Sequence, residues 1–143
     1  MELPKLNFNT QFDFKFRQDK DKFFIYDVLR KSYLLLTPEE WVRQHWVHYY
    51  LSIGKAASSL IAEKKVRVEK TTKRIDLLVL DKIEADILIE CKAPQIKLKP
   101  EHFEQIARYN SVIQAKEIIL SNGLQHIFAK YQEGQYYFYP KEL

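Results

Sequence analysis

Residues 74–92 read RIDLLVLDKIEADILIECK, two strand-length apolar runs broken by charges that a buried strand rarely tolerates. Ile75–Leu80 and Ile87–Cys91 are rich in Ile, Leu and Val, and the polar stretch Asp81–Asp86 joins them, the pattern of a β-hairpin. Asp76, Glu90 and Lys92 interrupt the runs. A charge buried alone costs several kcal/mol, so each of the three needs a partner, a shifted proton or a metal ion.

Side chains of a strand alternate between faces, so Glu90 and Lys92 share one, roughly 7 Å apart at about 3.3 Å per residue. With the hairpin centred near Ile83, Asp76 stands opposite Glu90, with Cβ atoms about 5 Å apart. A register slip of one residue would undo that pairing. In register, two carboxylates and an ammonium converge, which is a hard-cation site with a lysine beside it. The same three charges would equally form a buried Asp–Lys–Glu ion network. A glycosidase pair of acids is a poorer match, because that chemistry has no need of the lysine.

Taken in order, Met1–Thr10 carries no clear pattern. Gln11–Arg17 alternates Phe12, Phe14 and Phe16 with Asp13, Lys15 and Arg17, which predicts a half-buried strand. Phe23–Tyr26 and Tyr33–Leu36 predict two more. Aromatics beside basic residues also suit single-strand stacking, but a sheet packed on its own core accounts for them first. Thr37-Pro38-Glu39-Glu40 starts a helix, with Thr37 as cap, Pro38 at the first helical position and Glu40 completing a capping box. That helix is expected to run to about Ile53. It carries His45 and His48 on one side, with no HExxH pattern to make them zinc ligands. Lys64–Glu69 is expected as the strand before the hairpin. The basic residues Lys64, Lys65, Arg67, Lys70, Lys73 and Arg74 read as a solvated face or a phosphate track. A helix over Glu101 to about Gln114 presents Phe103, Ile106, Ala107 and Ile113 to the core. Gln105 and Tyr109 are one turn apart on it. A strand at Glu117–Leu120 follows, and the helical crossover before it suits parallel pairing. Gln125–Tyr131 and Gln135–Tyr139 form a last hairpin.

A chain of 143 residues, 46% hydrophobic and 29% charged, is expected to fold as a single domain spanning 1–143. Its net charge of +4 is compatible with a phosphate-binding surface. Cys91 is the only cysteine, which excludes an intramolecular disulfide and a thiolate metal cluster. No apolar run has the length of a membrane span and the N-terminus lacks a signal-peptide pattern, so the expected location is cytoplasmic.

The spacing of Asp76 and Glu90-Cys91-Lys92 resembles the PD-(D/E)XK nuclease superfamily, with Asp76 as its Asp and Glu90-x-Lys92 as its (D/E)-x-K. Ile75 stands where the motif has proline, which the superfamily often lacks. TPEEWVRQ at Thr37–Gln44, KRID, LIECKAP and FEQIARYN at Phe103–Asn110 are together similar to the N-terminal nuclease domain of type I restriction enzyme R subunits. The similarity runs from about Tyr26 to Gly123. It implies an α/β (α+β) fold with a restriction-endonuclease-like core. That core is a mixed β-sheet with three antiparallel strands, a crossover helix and a further strand, flanked by helices.

The resemblance also implies hydrolysis of DNA phosphodiester bonds with Mg²⁺, or Mn²⁺ as a substitute. Asp76 and Glu90 would supply hard oxygen ligands, joined by the backbone carbonyl of Cys91. Lys92 would position the attacking water and stabilise the transition-state anion, since neighbouring carboxylates oppose the depressed pKa that a base requires. The first helix of these nucleases often supplies a glutamate to the metal, and Glu40 is the candidate, alongside its capping role. The exonuclease-like branch borders its active site with Q-x-x-x-Y on the crossover helix, which Gln105 and Tyr109 match. No GxxxxGK[ST] motor motif occurs, so substrate choice is expected to rest with this domain or with a helicase or other loading protein. A non-cleaving nucleic-acid- or protein-binding module that keeps the fold is the alternative.

Overall fold

A computed structural model describes residues 2–143; Met1, first of the patternless Met1–Thr10 stretch, lies outside the described residues. The chain opens with β1 (Phe16–Asp19), β2 (Lys22–Asp27) and β3 (Ser32–Leu35), which form a small antiparallel sheet. Phe12 and Phe14 precede β1 rather than extending it. They pack with Phe8 against the first helix, α1 (Pro38–Ser52). Phe8 meets Trp46 edge-on with ring centres 5.0 Å apart, and Phe14 lies 4.6 Å from His48. With this aromatic arm on one side and the main sheet on the other, α1 is buried along most of its length, its polar Glu40, Arg43 and Gln44 included. Thr37 Oγ1 accepts from the Glu40 N–H at 3.0 Å, so the cap forms as expected. The Glu40 side chain does not complete the capping box, because it turns inward to other partners described below.

A 3-10 turn (Ala57–Ser59) leads to β4 (Leu60–Ala62), then to β5 (Lys65–Val68) and β6 (Thr71–Arg74), and to the central hairpin β7 (Leu77–Asp81) and β8 (Glu84–Cys91). Helix α2 (Pro100–Ile113) crosses over to β9 (Glu117–Ser121), and β10 (His126–Gln132) and β11 (Gln135–Tyr139) close the chain. The main sheet has six strands in the order β11-β10-β9-β8-β7-β4. β7 pairs antiparallel with both β4 and β8, and β8 pairs with β9 in parallel through α2, so the sheet is mixed as expected. Leu77, Val79, Ile87, Ile89 and Ile119 pack with α1, while Leu78, Leu88, Ile118 and Ala129 pack with Ile106 of α2. No helix among the described residues is long and apolar enough to cross a membrane.

Two expected strands are placed differently. The third antiparallel strand of the central sheet is Leu60–Ala62, not Lys64–Glu69. Lys65–Val68 pairs instead with Thr71–Arg74 in a separate two-stranded hairpin. The run Ile75–Leu80, expected as one strand, is cut short: Ile75 and Asp76 fall between β6 and β7. Ile75 and Leu78 both enter the core beneath α2, together with Val66. Residues three apart on a straight strand face opposite ways, so the chain must bend between them.

Candidate active site

That bend sits at Asp76, and a second irregularity brings Glu90 level with it. At the hairpin turn Asp81 pairs with Glu84 and Leu80 with Ala85, whereas lower down Val79 pairs with Ile87 and Leu77 with Ile89. Asp86 is the extra residue of a β-bulge. The bulge shifts the register by one, so Asp76 stands at the level of Glu90; without it Ile89 would stand there.

Asp76 Oδ2 accepts from the Cys91 N–H at 2.7 Å. The carboxylate thereby takes the place of a main-chain acceptor where β7 stops short of the end of β8. Burial and the neighbouring Glu90 push the Asp76 carboxyl up to about 7, against the Cys91 N–H, Arg43 and Lys73, which all favour the charged form. Glu90 is buried, 6% exposed, and its Oε1 accepts from Lys73 Nζ at 2.9 Å. The same ammonium lies 5.1 Å from the centre of the Tyr109 ring. The cation on Glu90 thus comes from Lys73 in β6, not from Lys92. Lys92 follows β8 and is half-buried, with its N–H donating to the Ser121 carbonyl of β9 at 2.7 Å. Tyr109 is buried beneath Lys73, while Gln105, one turn earlier, is exposed.

Glu40 is buried beside this cluster but is already engaged. Its Oε2 accepts from Gln44 Nε2 at 2.9 Å, and Oε1 lies 3.2 Å from Arg43 Nη2. Burial raises its pKa, opposed by Arg43 and Gln44. Arg43 goes on to Glu63 Oε1 at 2.6 Å, and Glu63 Oε2 meets Arg30 at 2.9 Å. Arg30 closes the chain on Asp27 at 2.6 Å. His45 is buried among Phe8, Phe14 and Trp41, and burial lowers its pKa to about 4. Neither it nor His48 approaches the carboxylates as part of a metal-holding group.

Among the described residues no three His, Cys, Asp or Glu side chains gather into such a group. Asp76 and Glu90 contribute two. Magnesium keeps several waters and is commonly held by one or two carboxylates, so this donor set fits it. The upward shift of Asp76 comes first from burial and then from the neighbouring Glu90. Arg43 and Glu63 do not stand out in the sequence as site residues, and Lys73 does so only within the basic run read as a solvated face or a phosphate track. Only Arg43, three residues after Glu40 on α1, carried a spacing signal.

The family model described as Type I restriction enzyme R protein N terminus matches residues 38–142. No curated protein and no solved structure matches the chain. The matched span begins with α1 and includes Glu40, Lys73, Asp76, Glu90, Lys92, Gln105 and Tyr109.

Proposed function

The chain belongs to the type I restriction enzyme R protein N-terminal family, and from that premise we propose that it is a Mg²⁺-dependent nuclease hydrolysing DNA phosphodiester bonds. One observation carries the reading: the half-buried Asp76 stands level with the buried Glu90 at the end of the central hairpin, and burial with repulsion from Glu90 raises the proton affinity of Asp76. A proton and a divalent cation answer the same deficit of positive charge.

Asp76 and Glu90 hold the metal, with Mn²⁺ as a substitute and the Cys91 carbonyl as a further oxygen. Glu40 joins them only if it releases Gln44 or Arg43. Bound there, Mg²⁺ supplies positive charge to offset the negative charge that builds on the phosphate. Lys92 shares the strand parity of Glu90 and orients the attacking water from one side. Tyr109 and Gln105 position the phosphate from α2. A helicase or other loading protein delivers the DNA, and the cytoplasm is where such a substrate is met.

A second reading has one observation in its favour. Lys73 already pairs with Glu90, as it would in a DNA- or protein-binding module that keeps the fold without cutting. Calorimetric Mn²⁺ titration and nicking of supercoiled plasmid separate the two. The nuclease reading expects saturable Mn²⁺ binding and metal-dependent nicking. Absence of binding at millimolar Mn²⁺, with the plasmid intact, would overturn it.

A further inference from the structure

We propose that Lys73 is the resident counter-cation of Glu90, displaced when a divalent cation binds and then transferred to the phosphate of the DNA. The inference rests on the nuclease reading above and deepens it, by assigning a cation-responsive positioning residue to the same site.

The geometry gives Lys73 two partners of unequal permanence. Its ammonium is 2.9 Å from Glu90 Oε1, with side chains only 20% and 8% exposed, so a metal ion that takes Glu90 must break this pair. The Tyr109 ring, 5.1 Å away, remains after the carboxylate is taken and keeps a partly desolvated ammonium at the site. Lys73 also comes from the two-stranded β5–β6 hairpin, whereas Glu90 belongs to the main sheet. The partners are therefore carried on separate pieces of structure, and a lysine is a flexible point charge that re-pairs easily.

Charge counting says where the freed ammonium goes. Asp76 and Glu90, when both are ionised, carry two negative charges against one directly paired cation, Lys73. A divalent cation turns that net −1 into a net +1, which calls for an anion. In a nuclease that anion is the DNA backbone, so cation binding and DNA binding should reinforce each other through Lys73.

Lys73→Met keeps the stem and removes the charge, and Lys73→Gln provides a second variant should the first fold poorly by circular dichroism. In Mn²⁺ titrations without DNA, the variant is expected to bind about five- to tenfold more tightly than wild type, because a charged hydrogen-bonded competitor is gone. In fluorescence anisotropy with a short labelled duplex, wild type should bind more tightly with Ca²⁺ than with EDTA. The variant should lose most of that gain, and Lys73→Arg should retain it. General structural damage would weaken Mn²⁺ binding, not tighten it. A folded variant that binds Mn²⁺ no more tightly than wild type, or keeps the full Ca²⁺-dependent gain, overturns the role of Lys73 and leaves the nuclease reading standing. Failure of every protein, wild type included, to bind Mn²⁺ overturns both.

Discussion

Two ion clusters meet near Cys91, and they are built on different principles. Around Arg43, cations and carboxylates alternate: Asp27 to Arg30 to Glu63 to Arg43 to Glu40, at 2.6, 2.9, 2.6 and 3.2 Å. Gln44 covers the remaining Glu40 oxygen. Around Asp76, two carboxylates share one directly paired cation, Lys73, and Asp76 itself has a main-chain N–H as its partner. Their proton affinities diverge accordingly. Burial would push Glu63 up, but Arg43 and Arg30 outweigh it and hold its pKa below the usual carboxylate range. Asp76 is pushed the other way, to about 7. The first cluster completes itself and ties α1 to the strand connections. The second holds two carboxylates with one directly paired cation, at the point where the hairpin is bulged and bent.

The largest expected effect breaks the second cluster chemically. Asp76→Asn and Glu90→Gln preserve shape and remove one charge each. Metal-dependent nicking should fall by about a thousandfold or more, roughly 4 kcal/mol of transition-state stabilisation. The metal-free Asp76→Asn protein should be no less stable than wild type by urea unfolding, since repulsion is removed and the Cys91 N–H keeps an oxygen acceptor. A substantial loss of stability with undiminished nicking would instead make Asp76 part of a structural network like that of Arg43.

Arg43→Met supplies the opposite case. It leaves Glu40 and Glu63 without their shared cation in a largely buried place. Breaking a buried pair from one side typically costs about 3–5 kcal/mol, and a loss near the lower end is expected because Glu63 is 28% exposed and keeps Arg30. Thermal unfolding reads this directly. A loss below about 1 kcal/mol would erase the contrast between the clusters.

The pH dependence sharpens the comparison further. Asp76 has a higher pKa folded than unfolded, so between about 4 and 7 the folded state binds a proton that the unfolded state lacks. Stability from this group rises as pH falls through about 7, and its penalty is complete above that. Glu63 behaves in reverse, its contribution present above its unfolded pKa and lost as pH falls. Comparing wild type with Asp76→Asn isolates the first effect from His45 and the other groups. The variant's advantage should be roughly 2–4 kcal/mol at pH 8 and should vanish near pH 4. An advantage that does not change with pH would mean that Asp76 is not strained in the folded protein.

The two apolar runs made the hairpin legible, but not the one-residue register that sets Asp76 level with Glu90. The turn itself is tighter than its polar connection suggested, with Asp81 paired to Glu84. The bulge at Asp86 restores the register that a centre near Ile83 implied. The start of α1 was legible from Thr37 and Pro38, since caps and N1 prolines act locally, whereas α2 begins at Pro100, one residue ahead of the expected Glu101. Lys73 was not legible as a site residue. It lies in a basic run indistinguishable from a solvated face, and it reaches Glu90 only because Ile75 and Leu78 turn into one core and bend the chain between them. Glu40 shows the same limit, since its helix position followed from sequence while its inward pairing with Arg43 and Gln44 depends on the burial of α1 in the fold. Local rules placed the carboxylates, and tertiary packing chose their cations.

The smallest expected effect concerns the rim of the second cluster, on α2. Tyr109 is buried under the Lys73 ammonium, and Gln105 is exposed one turn away on the same helix. An exposed glutamine contributes little to folding, so Gln105→Ala should change stability by no more than about 0.5 kcal/mol. If its amide positions the phosphate, cleavage should still fall, by about tenfold, or roughly 1.4 kcal/mol. The loss should be in turnover at saturating DNA as well as in affinity, because positioning acts on the bound substrate. Tyr109→Phe makes the internal control: it keeps the ring beneath Lys73 and removes only the hydroxyl. A variant pair in which Gln105→Ala cuts normally and Tyr109→Phe is destabilised would assign this face of α2 to packing. The asymmetry between the two clusters would then end at the sheet and not extend to the helix.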